Sequence, residues 1–303
     1  MPGCLTLLDS PSLWYRAFHA VPASVVSPDG LPTGAVRGFL DLVSRIVRET
    51  RPNRLVATLD LDWRPAFRVA AVPSYKLHRT IGGGAEAEPA SLAPQVAVIL
   101  ELLAALGVPA VGAAGHEADD VIGTLATRAV GAVDVVSGDR DMFQLVCDDG
   151  PVRVLYAVEK MRPYGEAEVA AKYGIPGRSY AEYAVLRGDP SDGLPGVKGV
   201  GDKTAAALVS RFGGVEGLLA ALDAGQQDGF PAGARAKLEA ARDYLAAAPA
   251  VTRVVRDLPL PELDDALPRA PRDPAALLAL SDRWGLEAPL ERFLKALEVA
   301  YDG

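Results

Sequence analysis

The sequence predicts an α/β fold, a mostly parallel central sheet flanked by helices, followed by a C-terminal all-helical region. Three observations carry this. Short apolar runs alternate with amphipathic helical patterns in the first half of the chain. From about residue 177 the strand signal stops and only helical patterns remain. Several of the expected strands end in aspartate, and in parallel α/β sheets the functional crevice lies outside the carboxyl ends of the strands.

The expected strands are "LTLLD" (5–9), "RLVATLD" (54–60), "VPAVG" (108–112), "VDVVSGD" (133–139) and "VRVLY" (152–156). Between the first two, residues 33–50 place Val36, Phe39, Leu40, Val43, Ile46 and Val47 on one helical face, with Thr33 as the expected cap. Residues 91–106 and 117–130 also read as helices, and the low-complexity stretch "IGGGAEAEPASLAP" (81–94) as a mobile loop. The division is therefore an α/β domain over 1–176 and a helical region over 177–303. In the latter, "LPGVKGVGDKTAAALVSRFGGVEGLL" (194–219) reads as a Gly-rich turn entering a helix at about Asp202, a break at Gly213-Gly214, and a second helix.

Composition narrows the class. Half of the 303 residues are hydrophobic, enough for one large core or two domains. No apolar run approaches the roughly 18 residues of a membrane span, and the N-terminus lacks a basic start with a small-residue cleavage site. Two cysteines without a framework point to a reducing cytosol, and three histidines without a cysteine cluster argue against a zinc site.

The acids carry chemistry. Asp9, Asp60 and Asp139 end expected strands; Asp62 and Asp141 follow two of them at alternate positions. "HEADD" adds Glu117, Asp119 and Asp120 at a helix start, where helical spacing puts Glu117 and Asp120 on one face. "GDPSDG" adds Asp189 and Asp192. Singly, such residues also cap helices or favour a helix dipole. Together, converging carboxylates need a cation to offset their repulsion, and an all-oxygen donor set selects magnesium or manganese. Beside them, Gly196, Gly199 and Gly201 let the backbone approach a ligand closely, and the helix start with Lys198 and Lys203 suits phosphate, though without Walker-loop spacing. Residues 63–85 hold Arg64, Arg68, Lys76 and Arg79 and no acid, a local basic surface.

With these motifs in view, the chain resembles the bacterial 5′ nuclease family, which includes the 5′-nuclease domain of DNA polymerase I, flap endonucleases and phage 5′ exonucleases. The carriers are "LLDSPSLWYRAFHA" (7–20), "FRVAAVPSYKLHR" (67–79), "GHEADDVIGTLA" (115–126), "VVSGDRDMFQLV" (135–146) and "LRGDPSDGLPGVKGVGDKTAAALV" (186–209). The resemblance implies a PIN-like nuclease domain with an arch over about 63–94, and a helix–three-turn–helix DNA-binding motif over about 186–223. It implies a first metal group of Asp9, Asp60, Glu117, Asp119, Asp120 and Asp139, and a second of Asp141, Asp189 and Asp192, with Asp139 bridging. Arg16, Tyr75, Lys76 and Arg79 match DNA-contacting positions, the last two also catalytic, and a potassium ion is implied on backbone carbonyls near Val197 and Val200. The chain departs from the family at Val69, where a histidine is usual. The spacing around "LDLDWRPAFR" differs by one residue, so Asp60 and Asp62 compete for one role; Asp60 is favoured because it directly ends the strand.

The net charge of −8 then ceases to argue against nucleic acid: the nine implied ligands leave 30 of 39 acids against 31 Lys and Arg. The expected activity is metal-dependent hydrolysis of DNA phosphodiesters, as a 5′-3′ exonuclease and 5′-flap endonuclease in replication or repair. It would use two divalent ions, with a third within the reading, in a cytoplasmic, nucleoid-associated monomer without a membrane partner. The expected substrates are DNA with 5′ ends, nicks or 5′ flaps, with RNA primers within the same reading. A catalytically idle DNA-junction binder and a metal-dependent ribonuclease are the rivals; no expected carboxylate is missing, and the Gly-rich hairpin favours duplex DNA.

Overall fold

The structure, a computed structural model, describes residues 3–80 and 89–301. Six strands form one sheet in the order β3-β2-β1-β4-β5-β6: β1 Leu5–Asp9, β2 Arg54–Leu59, β3 Ala110–Gly112, β4 Val133–Ser137, β5 Val152–Tyr156 and β6 Arg162–Tyr164. All neighbours are parallel except β5 and β6. The antiparallel edge strand β6 was not expected; at three residues with a central proline it has too short a pattern to read. β2 and β4 end one and two residues earlier than expected, so Asp60 and Asp139 lie in the turns just past the strands.

The helices are α1 Ser10–Ala20, α2 Gly34–Thr50, α3 Ala66–Ala71, α4 Ala93–Leu106, α5 Ala118–Arg128, α6 Glu166–Tyr173, α7 Tyr180–Arg187, α8 Asp202–Phe212, α9 Val215–Asp223, α10 Ala234–Ala240, α11 Arg242–Ala247, α12 Pro249–Thr252, α13 Pro274–Trp284 and α14 Glu287–Tyr301. The α2 face reads as expected, with all six named apolar residues buried. Thr33 is its N-cap residue, as expected, but its hydroxyl donates to the Val25 carbonyl at 3.3 Å instead of accepting an N–H of the first turn. Of the expected loop 81–94, residues 81–88 lie outside the described residues, while Leu92 is fully buried and α4 begins at Ala93.

Successive residues on a strand point to opposite faces, and two core clusters follow from that. Leu7, Val56, Val135 and Val154 face one cluster, which continues without a break through Leu208, Leu218 and Leu245 of the helical region. Leu8, Ala57, Val136 and Leu155 face the other, covered by α1, α2, α4, α13 and α14. The expected boundary at 176/177 falls between α6 and α7, but it does not separate two cores. The last two helices leave the helical region and pack over the outer face of the sheet, with Phe293 and Leu297 buried among residues of α2 and α4. Among the described residues no single helix is long and apolar enough to cross a membrane; α8 and α9 meet at 75° around Gly213-Gly214.

Candidate active site

Strand order reverses at β1, which has β2 on one side and β4 on the other. The carboxyl ends of these three strands deliver Asp9, Asp60 and Asp139 to one edge, the crevice where open α/β sheets bind ligands. A cavity of about 770 Å³ opens there, lined by Asp9, Asp60, Glu117, Asp119, Asp139, Lys76 and Arg79, with Tyr15 and Trp63 in its wall.

Asp9 does two jobs. One oxygen caps α1 by accepting the Ser12 N–H at 3.3 Å, and the other accepts the Ser137 hydroxyl. Ser137 also accepts the Asp139 N–H at 2.8 Å, so this serine ties the ends of β1 and β4 together. Asp60 accepts the Ala118 N–H at 2.6 Å, joining the β2 turn to the start of α5. Asp62 points elsewhere: it accepts the Arg64 N–H at 3.2 Å and is not part of the cavity wall. Between the two competitors, only Asp60 faces the site.

Burial and mutual repulsion act on these acids. Loss of water, with the charges of Asp60 and Asp139 adding, raises the Asp9 carboxyl to about 7. Asp119 is pushed well above the carboxylate range by burial and then by Asp139 and Asp9. Such crowding calls for a cation.

The Glu117 carboxylate is held by three groups: the Lys76 ammonium, the Arg68 guanidinium and the Tyr75 hydroxyl. Burial opposes the Lys76 charge, but Tyr75, Glu117 and Asp192 outweigh it and raise its pKa. Lys76 also sits in the left-handed backbone region, φ +48°, which costs a lysine on the order of 1 kcal/mol. Two expectations are corrected here. Tyr75 is only 3% exposed, with its hydroxyl on Glu117, so it is an internal brace and not a DNA-contacting aromatic. Asp120 is fully buried and committed: one oxygen accepts Arg68 Nη2 at 2.6 Å and the Val255 N–H at 2.9 Å, and the other pairs with His116 Nδ1 at 3.1 Å. Asp120 therefore does not reach the cavity wall, which Glu117 and Asp119 of the same motif do. Arg68, the buried partner of both acids, was read only as part of a basic stretch; its burial is the missing signal, and no sequence pattern shows it.

The second acidic group lies behind Asp139, off the cavity wall. The Asp141 N–H donates to Asp139 Oδ1 at 2.8 Å, closing the turn of "DRD". Asp141 Oδ1 is buried with no hydrogen-bond partner, and burial with the charges of Asp139, Asp192 and Asp189 raises the carboxyl well above its usual range. Asp189 caps its turn through the Ser191 N–H at 2.8 Å and meets Arg140 at 3.2 Å. Asp192 meets Arg79 at 3.2 Å, and burial, partly offset by Lys76, raises it to about 6. Asp139 thus stands between the groups, its charge felt by Asp9 and Asp119 on one side and by Asp141 and Asp192 on the other.

Among the described residues, no three acidic, histidine or cysteine side chains already form a closed ligand set. The donor chemistry nonetheless fits a hard divalent ion: oxygen donors throughout, one carboxylate oxygen buried without a partner, and repulsion that a cation would relieve.

The Gly-rich hairpin lies where expected, with α8 beginning at Asp202 and a break at Gly213-Gly214 before α9. Gly196 has φ +65°, and a Cβ there would lie 2.5 Å from the Arg187 carbonyl, so only glycine fits. Gly201 precedes α8 with open space around it, and Lys198, Gly199 and Lys203 are exposed. Val197 and Val200 are buried, and the Val197 carbonyl accepts the Val200 N–H at 2.9 Å. Arg16 is exposed on α1, outside the cavity wall.

Family models describe the chain in two parts. A "5′-3′ exonuclease, N-terminal resolvase-like domain" matches residues 4–174, and a "5′-3′ exonuclease, C-terminal SAM fold" matches residues 175–275. The chain is 52% identical over 299 residues to a 5′-3′ exonuclease of Streptomyces coelicolor, covering 96% of this chain and 99% of that one. It is 49% identical to a 5′-3′ exonuclease of Mycobacterium tuberculosis, covering 98% and 99%. It is 38% identical to the DNA polymerase I of Mycobacterium bovis over 98% of this chain but 32% of the polymerase. Its fold is similar to that of T5 5′-exonuclease with zinc ions bound (TM-score 0.60, 18% identity, 98% and 99% covered). It is also similar to that of flap endonuclease-1 from Methanococcus jannaschii (TM-score 0.61, 17% identity, 99% and 92% covered).

Proposed function

The chain belongs to the 5′-3′ exonuclease family, and from that premise we propose that it is a divalent-metal-dependent 5′ nuclease of DNA, removing nucleotides from 5′ ends and cutting 5′ flaps near the single-strand/duplex junction. What supports the reading is one juxtaposition: the carboxylates of three adjacent strand ends share a cavity with Lys76 and Arg79. That cavity offers acids for a metal and cations for a phosphate.

Asp9, Asp60, Glu117, Asp119 and Asp139 would hold one ion and Asp141, Asp189 and Asp192 a second, with Asp139 shared. Bound Mg²⁺ or Mn²⁺ would supply an activated water and neutralise the phosphate. The rest falls to the chain itself. Arg68 and Tyr75 fix the position of the Glu117 carboxylate in the cavity wall. Lys76 and Arg79, now resting on Glu117 and Asp192, stabilise charge on the scissile phosphate and steer the 5′ strand. The turn at 196–201 and Lys203 hold the duplex through phosphates, a contact without base information. A potassium ion on the carbonyls near Val197 and Val200 belongs to the same proposal, as do action on RNA primers and a monomeric state.

Product sizing tests this. Wild type and Asp139→Ala are given a 5′-flap and a nicked duplex in magnesium, manganese or chelator. The expected result is short 5′ products with either ion, none in chelator, and none from Asp139→Ala. Cleavage that persists in chelator, or wild-type turnover in Asp139→Ala, overturns the assignment. Tight flap binding without cleavage under any condition would make the chain a junction binder instead.

A further inference from the structure

Gln144 lies three residues beyond Asp141 in the short helix Asp141–Leu145 and is 3% exposed. Its whole side chain is used. Nε2 donates to the Asp141 carbonyl and to the Thr252 carbonyl, each at 2.9 Å, and Oε1 accepts the Val254 N–H at 3.0 Å. Its own carbonyl accepts Arg256 Nη2 at 3.0 Å.

The same stretch, from the end of α12 onward, is tied at other points. Arg68 Nε donates to the Val251 carbonyl at 3.1 Å, and Asp120 accepts the Val255 N–H. Thr124 donates to the Val255 carbonyl at 3.3 Å and accepts the Leu258 N–H at 3.2 Å. The approach is close: a Cβ on Gly123 would lie 2.7 Å from the Val255 carbonyl. Residues 251–258 thus form a strap from the helical region across α3, α5 and the "DRD" turn. Two of its ties, Arg68 and Asp120, belong to the Glu117 network; the tie at Gln144 belongs to Asp141.

We propose that Gln144 is a positioning residue for the second acidic group: by clamping the Asp141 carbonyl to the strap, it fixes the direction in which the Asp141 carboxylate points. This inference rests on the function proposed above. Asp141 is crowded by Asp139, Asp189 and Asp192, and its Oδ1 has no partner to hold it. Repulsion would swing such a carboxylate away from its neighbours unless the backbone under it were fixed. An amide suits the position because two bonds need donors and one needs an acceptor. Glutamate there could keep only the acceptor bond and would add a charge beside the acids.

The test uses the full chain without DNA, and its probe is Mn²⁺ alone. Free Mn²⁺ is followed by electron paramagnetic resonance as the ion is titrated into wild type, Gln144→Met, Gln144→Glu and Thr124→Val. Thr124→Val loosens the strap away from Asp141 and serves as the control. Removing a group that orients a metal ligand typically weakens affinity by about 10–100-fold. Both Gln144 variants should lose affinity on that scale for one class of site, keep the other class, and expose the Val254 amide to hydrogen exchange. Thr124→Val should melt earlier with an unchanged Mn²⁺ isotherm. A wild-type isotherm in a folded Gln144 variant overturns the proposal, even where that variant melts earlier. If Gln144→Met does not fold, the isosteric Gln144→Glu decides by the same measurement. A wild-type protein that binds no Mn²⁺ overturns the metal assignment first and this proposal with it; a wild-type protein that binds beside unaltered variants overturns this proposal alone.

Discussion

The backbone N–H of Lys76 donates to the carbonyl of Asp192 at 2.9 Å. Around that bond, the Ser74 hydroxyl donates to the Gly193 carbonyl at 2.7 Å and Arg79 Nη2 to the Ser191 carbonyl at 2.6 Å. The segment that carries the cations and the acidic loop that leads into the Gly-rich hairpin are therefore one mechanical unit.

Gly193 is the point of closest approach within that unit. It has φ +72°, and a Cβ there would lie 2.1 Å from the Ser74 carbonyl. Gly193→Ala should cost at least about 1 kcal/mol through its backbone alone and should separate the two segments. Urea unfolding in chelator and flap cleavage in manganese should both suffer. An unaltered cleavage rate would mean that the segments act independently.

Lys76→Ala removes the ammonium from Glu117 and from the expected phosphate position. Cleavage should slow by about 10²–10³-fold, the usual effect of losing one group aimed at developing charge. Duplex affinity in chelator should stay nearly intact, because the proposed duplex site on α8 and its turn is separate from Lys76. Parallel losses in rate and affinity would make Lys76 a plain binding residue.

Arg68→Met strips the buried partner from two buried acids at once. The cost should be about 3–5 kcal/mol, because it leaves charges uncompensated out of water. Denaturant midpoints in chelator measure it, and adding Glu117→Gln should recover part of the loss. If Arg68→Met is as stable as wild type, the ion pairs do not bear on the fold.

Asp9 and Asp192 are raised to about 7 and about 6, chiefly by burial. An acid whose folded pKa exceeds its unfolded value binds its proton more tightly in the folded state. Stability without metal is therefore highest in acid on this account and falls as pH rises from about 4 through about 7. Melting in chelator between pH 5 and pH 8 should show the decline, and saturating Mn²⁺ should reverse it at the alkaline end. A melting temperature that climbs across this range in chelator would contradict the crowding.

Lys203→Glu places a negative charge beside the helix start at Asp202. Affinity should fall equally for duplexes of any sequence, and the slope of log affinity against log salt should flatten by roughly 0.9 per lost phosphate contact. An unchanged slope would move the duplex site away from this helix.

The strand-end acids were legible because their meaning is positional: an aspartate closing an apolar run is carried to the carboxyl edge of a parallel sheet whatever surrounds it. The Gly-rich hairpin was legible for a similar reason, since φ +65° at Gly196 and the helix start after Gly201 are local properties. "HEADD" shows where this stops. Helical spacing made Glu117 and Asp120 equivalent, and the fold separates them: Arg68, from a helix some fifty residues earlier, bonds one oxygen of each, but Glu117 lines the cavity while Asp120 is enclosed by Arg68, His116 and the Val255 N–H.

What the sequence determined by itself is the five parallel strands, three of the helices that flank them (α2, α4 and α5), the inventory of acids and the hairpin. Each of these follows from local periodicity and backbone preference. The tertiary structure alone decided which acids face the cavity, that Tyr75 is an internal brace, that Ser137 links Asp9 to Asp139, and that residues 251–258 strap the acidic turns together. It also decided that α13 and α14 return to cover the sheet. The reason is common to all of these: a buried charge or amide takes its role from the partner that satisfies it, and that partner arrives from a distant part of the chain only when the core closes.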